Sequence, residues 1–157
     1  MQNLVFREAK ESDLQQVIDL AVEAIEHSQS PFRDTSLENI KDYRRRDLEQ
    51  LRALYTQSHV GIFVAEEKRE IKGHVIVLSG MKAVTGELQG WIIDLSVRQE
   101  LWGTGVAQEL TLMAEEFIRS KGFQHLGLGV TSANKRAIRF YEKMGYLEER
   151  KQMIKKL

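Results

Sequence analysis

Residues 92–117 read "IIDLSVRQELWGTGVAQELTLMAEEF". The apolar run Trp91–Val97 has the length and composition of a strand. Beyond "LWGTGVA" (Leu101–Ala107), Val106, Leu110, Met113 and Phe117 are spaced by four, three and four residues, the stripe of an amphipathic helix. Gly103 and Gly105 therefore join a strand to a helix. The first amides of a helix have no partner within it, and the macrodipole makes that end positive. Glycine tolerates positive φ and lets a phosphate approach the backbone. The stretch is thus either an anion nest for a phosphorylated ligand or a tight turn, and alone it leaves both open. Two familiar phosphate loops are excluded. A dinucleotide fingerprint needs a third glycine where Gln108 stands, and an acid at the end of the next strand, which "HLGLGV" (125–130) lacks. The G-x-x-x-x-G-K-[ST] pattern is absent.

The 157 residues suffice for one domain with a sizeable core, and one domain over 1–157 is expected. With 42% hydrophobic and 29% charged residues, the chain reads as globular. Lysine plus arginine equal aspartate plus glutamate at 23 each, which argues against a general nucleic-acid footprint. There is no cysteine, and so no disulfide, thiol nucleophile or thiolate metal site. Together with a mixed, charged start (Met1–Glu11) and no apolar run near the roughly 18 residues of a membrane span, this points to a cytoplasmic protein.

Elsewhere the pattern gives one continuous domain. Leu4–Arg7 reads as a strand. Ser12 and Gln15 have capping-box spacing, followed by a helical stripe of Leu14, Val17, Ile18, Ala21, Ala24 and Ile25. Pro31 interrupts the chain. Thr35 and Glu38 repeat the capping pattern and open a second helix, expected to reach about Gln57. Val60–Ala65 and Ile71–Leu78 read as strands around a hairpin at "EEKRE". Lys121-Gly122 ends the long helix. "HLGLGV" follows as a strand, Asn134–Met144 as a short helix, and Tyr146–Ile154 as a last strand. The order β-α-α-β-β-β-α-β-α-β implies an α/β (α+β) layer fold, a mixed, mostly antiparallel sheet with helices on both faces.

A second stretch, "NKRAIRFYEKMGY" (Asn134–Tyr146), completes a pair of motifs. Together they resemble the signatures of the GNAT superfamily of acyl-CoA-dependent N-acyltransferases, a strand–glycine loop–helix unit and an N-x-x-A-x-x-F/Y-Y-x-x-x-G-F/Y unit. The element order agrees along the whole chain. One departure is Trp102, which stands where the family commonly has a polar Gln or Arg.

The resemblance implies acetyl-CoA as acyl donor, an amine acceptor as partner, and no metal. The cofactor would lie where the strand Trp91–Val97 splays from the strand Leu126–Val130. Leu95, Ser96 and Val97 would meet the pantetheine arm through their main chain. The amides from Trp102 through Gly103, Thr104, Gly105, Val106 and Ala107 would meet the diphosphate, with the Thr104 hydroxyl as a further donor. Asn134 matches a position near the cofactor. Lys135 and Arg136 either approach CoA phosphates or are solvated helix charges.

Acyl transfer to an amine requires loss of an ammonium proton, a donor for the developing oxyanion, and an acid for the departing thiolate. Tyr141 occupies the family's general-acid position; its other reading is a core aromatic beside Ala137, Ile138 and Met144. Asp94, among Ile92, Ile93 and Leu95, is the expected base or amine anchor, with Glu87 as a weaker alternative. Without cysteine, direct transfer between two bound substrates is the simpler route. The connection between the first two helices helps form the acceptor pocket in the family, which points to Phe32, Arg33 and Tyr43. The histidines are isolated and lack metal spacing, and His74 reads as a satisfied structural residue. "KDYRRRD" (41–47) reads as a solvated face. The expected function is N-acetyl transfer from acetyl-CoA to a primary amine of a small molecule or protein. A non-catalytic acyl-CoA-binding or sensing module, and a purely structural domain, are the alternatives. The sequence leaves the acceptor and a homodimer open.

Overall fold

Among the described residues, five strands form one sheet in the order β1-β2-β3-β4-β5. The structure, a computed structural model, describes residues 3–157, so Met1 and Gln2 of the charged start lie outside it. β1 is Val5–Glu8, β2 Val60–Glu67, β3 Glu70–Lys82, β4 Leu88–Val97 and β5 Leu126–Leu128. The first four pair antiparallel, and β5 runs parallel to β4. The β2–β3 hairpin turns at Lys68 and Arg69, whose φ values of 52° and 64° suit a primed two-residue turn.

Helices cover both faces, as the alternating strands require. On one face, α1 (Leu14–Glu23), α2 (Leu37–Leu48) and the short α3 (Leu51–Leu54) bring Val17, Ile18, Ala21, Leu48 and Leu51 against Ile62, Val64 and Ile76. On the other, α4 (Val106–Ser120) packs Val106, Leu110, Ala114 and Ile118 against Val75, Val77 and Ile92. The strand beneath α4 is close enough that a Cβ at Gly90 would stand 2.4 Å from Ile118, so only glycine fits there. The last helix, α5, is Lys135–Lys143.

Four expectations are corrected. Tyr146–Ile154 is not a strand; β5 closes the sheet, and residues 147–157 run on exposed, with no strand partner among the described residues. β5 itself pairs over only three residues, a short template for a further strand. The second helix is capped by Ser36, whose hydroxyl accepts from the Asn39 amide at 3.2 Å, not by Thr35. It also ends at Leu48 rather than near Gln57. The first helix begins on a 3-10 turn, Glu11–Asp13, where Asp13 rather than Ser12 accepts from the Lys10 amide at 2.7 Å. Asp13 takes that place because it also binds Arg7 in a two-toothed ion pair.

Candidate active site

The parting of two parallel strands creates the site. β5 follows β4 only as far as the pair Ile92–Leu128. On its other side, β4 carries a bulge at the same place: Val77 pairs with Ile92 and Ile76 with Asp94, leaving Ile93 over. The extra residue reverses the alternation. Ile92 faces α4, whereas Asp94 and Ser96 turn toward α1 and α2, where His74 waits on β3.

Asp94 is tied down from three directions. Its Oδ2 accepts from His74 Nε2 at 2.6 Å and from the Ser96 hydroxyl at 2.8 Å. Its Oδ1 faces Arg44 Nη2 at 3.3 Å. The same Arg44 nitrogen donates to the carbonyl of Ile93 at 2.9 Å, satisfying the group that the bulge leaves over. Burial pushes the Asp94 carboxyl up, but the His74 bond and charge, Arg44 and Ser96 outweigh it and hold the group below the usual carboxylate range. His74 is fully buried, and its Nδ1 has no partner among the described residues. With its proton on Nε2, the ring gives Asp94 its donor. The structural reading of His74 is therefore incomplete: the ring holds a carboxylate at the opening.

Tyr141 lies near the end of α5, half-buried between Phe140 and Tyr146, with ring centroids 5.1 and 5.6 Å away. Burial raises its phenol, and the negative charge of Asp94 raises it further, so it keeps its proton at neutral pH. Helix α5 is fixed at both ends. The Asn134 side chain accepts from the Ala137 amide at 3.2 Å, and Tyr146 closes the far end by donating its amide to the Tyr141 carbonyl and its hydroxyl to Glu115 of α4.

The glycine turn follows β4 directly. A 3-10 turn, Gln99–Leu101, leads to Gly103 and Gly105, with φ of 77° and 94°, and Gly105 opens α4. A Cβ at Gly103 would meet nothing within 4 Å, so this backbone faces open space. The Trp102 and Thr104 amides bond back to Gln99 and Leu101. Those of Gly103, Gly105, Val106 and Ala107 have no backbone acceptor among the described residues. The Thr104 hydroxyl donates to the Leu101 carbonyl, so its proton is used inside the turn.

Main-chain direction along β4 divides the three expected partners. Arg98 donates its amide to Lys72 on β3. By alternation Ser96 also turns its main chain toward β3, while Leu95 and Val97 face the open side. The Val97 carbonyl accepts from the Trp102 indole at 2.9 Å. Trp102 is itself held between the His27 ring, 4.9 Å away, and the Arg136 guanidinium, 3.4 Å from the ring centroid. Arg136 is thus a packed side chain, and burial lowers its pKa.

The remaining expectations scatter. Phe32 and Arg33 lie exposed on the α1–α2 connection, and Tyr43 is exposed on α2. Glu87 sits in the β3–β4 turn beside Thr85, at the opposite end of β4 from Asp94. "KDYRRRD" is not wholly a solvated face, because Arg44 reaches β4. Sequence reading passed over Arg44 among three adjacent arginines; its one signal was its place a turn before the buried Leu48.

A sheet parted at a bulge beside a glycine-opened helix is the architecture of the acyl-CoA-dependent N-acyltransferases. The sequence model of the Acetyltransferase (GNAT) family matches residues 16–146, and the chain belongs to that family. The uncharacterised N-acetyltransferase YjgM of Escherichia coli (strain K12) is 32% identical over 102 residues, 64% of this chain and 59% of that protein. The chain spans about half the length of the curated relatives it matches. A Trypanosoma brucei acetyltransferase structure is 26% identical, with a TM-score of 0.65 over 99% of this chain and 100% of that one. The PaiA N-acetyltransferase of Thermoplasma acidophilum, solved with coenzyme A, shares the fold at a TM-score of 0.81, covering 96% and 93% of the two chains at 20% identity.

Proposed function

We propose that this chain transfers an acetyl group from acetyl-CoA directly to a primary amine of a small molecule or protein. The observation that carries this reading is that the charge of Asp94 reaches Tyr141. A carboxylate held charged just past the last β4–β5 pair acts on a phenol that keeps its proton. Acetyl-CoA fits the surroundings as a substrate. The unpartnered amides of Gly103, Gly105, Val106 and Ala107 suit its diphosphate. The main chain of Leu95 and Val97 suits its amide arm, once the Trp102 indole releases the Val97 carbonyl. The Asn134 side-chain NH2 is free of the cap its oxygen makes and offers the cofactor a donor.

The two side chains divide the chemistry. A carboxylate held below its ordinary range is a poor proton acceptor and a good anchor for an ammonium group. Asp94 therefore holds the acceptor through Oδ1, and the ammonium proton leaves to solvent before attack. The amine nitrogen then bonds to the thioester carbonyl carbon, the carbon–sulfur bond breaks, and Tyr141 gives its proton to the departing sulfur. The proton shed by the acylated nitrogen returns the phenol to its starting state. Phe32, Arg33 and Tyr43, exposed in the α1–α2 layer toward which Asp94 turns, would be open to the acceptor.

The test is release of CoA from acetyl-CoA across a panel of primary amines, with acetyl-CoA binding measured by calorimetry. Amine-dependent release is expected. Binding without release for every amine would replace this reading with an acyl-CoA-binding module, and absence of binding would leave the glycines as a turn.

A further inference from the structure

Asp94 and Arg44 carry opposite charges and meet without saturating each other. Their contact is single and long, Oδ1 to Nη2 at 3.3 Å. The Arg7–Asp13 pair shows the closed form of such a contact in this chain, with two bonds at 2.7 and 3.0 Å. Arg44 keeps open donors. Its Nη2 serves the Ile93 carbonyl and Asp94. Its Nη1 has one contact, 3.3 Å from an Asp47 carboxylate that is itself 46% exposed. Its Nε has no hydrogen-bond partner among the described residues. Only the His74 Nδ1 is both buried and unpartnered among them, so Arg44 Nε reaches solvent. Asp94 is uneven in the same way. Its Oδ2 accepts two short bonds, at 2.6 and 2.8 Å, while Oδ1 accepts only the long one. The Arg44 and Asp94 side chains stay 24% and 15% exposed.

An open acceptor beside open donors of opposite charge is complementary to a zwitterion. A ligand with its two charges on neighbouring atoms would set its ammonium on Asp94 Oδ1 and its carboxylate on the open N–H groups of Arg44. A plain amine fits less well. Its ammonium at Oδ1 would stand beside the guanidinium, like charge on like, where partial burial leaves the repulsion poorly screened. A carboxylate on the adjoining carbon gives Arg44 a counterion and reverses that term. The same contact keeps the nitrogen in place after it sheds its proton, when Asp94 no longer attracts a charge there.

We propose that the acceptor is a free α-amino acid, held by its ammonium group on Asp94 and by its carboxylate on Arg44. The inference rests on the acetyl-transfer reading and narrows its acceptor. The amine nitrogen bonds to the acetyl carbonyl carbon, the carbon–sulfur bond breaks, the sulfur takes the Tyr141 proton, and the nitrogen's own proton restores the phenol. The products are an N-acetylamino acid and CoA. An amine at the start of a protein chain has an amide where this acceptor has its carboxylate, and so lacks the group that Arg44 recognises.

The experiment compares CoA release for several α-amino acids with that for their amides and for the amines without the carboxyl group. The full chain and acetyl-CoA are used, and kcat/KM is taken over a pH series, because loss of the carboxylate lowers the amine pKa. The free acid should exceed both analogues by roughly 10- to 100-fold, the range of a charge-assisted hydrogen bond. In Arg44→Leu the acid-to-amide ratio should fall to about one whatever the absolute rate, and Arg44→Lys should restore part of it. The ratio separates recognition from support, since a loosened Ile93 and Asp94 would slow acid and amide alike. Turnover of amines without preference for the acid overturns this inference and leaves acetyl transfer standing. A preference that persists in Arg44→Leu overturns it too, and the wild-type comparison decides alone if that variant does not fold. If no amine is acetylated, the acetyl-transfer reading fails separately, and calorimetry of α-amino acids against the CoA-bound protein decides the site. Binding that needs both the carboxylate and Arg44 supports an amino-acid site, and its absence overturns it.

Discussion

Replacing Asp94 with asparagine keeps the side-chain shape and removes its charge. The amide oxygen still accepts from His74 and Ser96, but the amide nitrogen then presents a donor to Arg44, which only donates. A charge-assisted hydrogen bond contributes about 1.5–3 kcal/mol against about 1 kcal/mol for a neutral one. The 2.6 Å His74 bond is weakened to the neutral kind, and the 3.3 Å Arg44 contact is lost. Discounting the Arg44 contact for its length and its solvent exposure, the loss is about 2–3 kcal/mol. For a chain of this size that lowers the melting temperature by roughly 4–12 °C. The pH dependence has a definite sign. The folded carboxyl lies below its unfolded value of about 3.9, so its contribution is complete above that value and fades as pH falls through the folded one. The gap between wild type and Asp94→Asn should hold steady around neutrality and close in acid below about pH 4. Thermal melts from neutral pH into acid measure the gap, and turnover with a responsive amine should drop while acetyl-CoA affinity stays. A variant that melts with the wild type at neutral pH and turns over normally would refute both the network and the anchoring role.

Tyr141→Phe keeps the ring contacts with Phe140 and Tyr146, so the melting curve should barely move while turnover falls roughly 10²–10⁴-fold, the range for a positioned acid. A more acidic leaving thiol should shrink that loss, and near-normal turnover would make Tyr141 a packing residue only. Gly105→Val puts a branched side chain at φ 94°, which costs about 1–2 kcal/mol or more and blocks the approach to the α4 amides. Calorimetry should show a large loss of acetyl-CoA affinity in a folded protein, and unchanged affinity would remove the anion nest. Arg44→Leu takes away one of the charges that hold Asp94 down, so its carboxyl should rise toward the ordinary range. The acidic limb of the pH–rate profile should move to higher pH, and an unmoved limb would separate Arg44 from the chemistry.

What the sequence disclosed and what it hid follow from range. The α4 stripe, the glycines before it and the helix that carries Tyr141 are local patterns, legible because apolar spacing and positive-φ positions are set within a few residues. Both faces of the sheet could be read from strand alternation. The site's charged cluster could not. His74, Asp94 and Arg44 come from β3, β4 and α2, and nothing near any of them in sequence marks the other two. The helix caps slipped by one or two residues because neighbouring polar side chains compete for the same amides, and a distant partner decides the outcome, as Arg7 does for Asp13. The last strand failed for a related reason. Its composition suits a strand, but a strand needs an edge to join, and three residues of β5 offer little.

The bulge at Ile93 is where these long-range choices meet. A regular β4 would continue the alternation set by Ile92 and turn Asp94 toward α4, among Val106, Leu110 and Ala114, where a carboxylate would have no partner. One extra residue sends Asp94 and Ser96 to the α1–α2 face instead, within reach of His74. It also bends β4 at the residue where pairing with β5 ends, so a single backbone irregularity both opens the gap and aims the acid into it. The cost of the bulge is an unpaired carbonyl, and Arg44 meets that cost while placing its charge beside Asp94. An arginine suits this double task because its planar head can serve a carbonyl and a carboxylate together, whereas a lysine offers one point charge. The apolar side of Ile93 packs into the α1–α2 core, which holds the bulge in place from the other direction. Fold stability and the aim of the acidic group therefore rest on the same few contacts, and a change to either is felt by both.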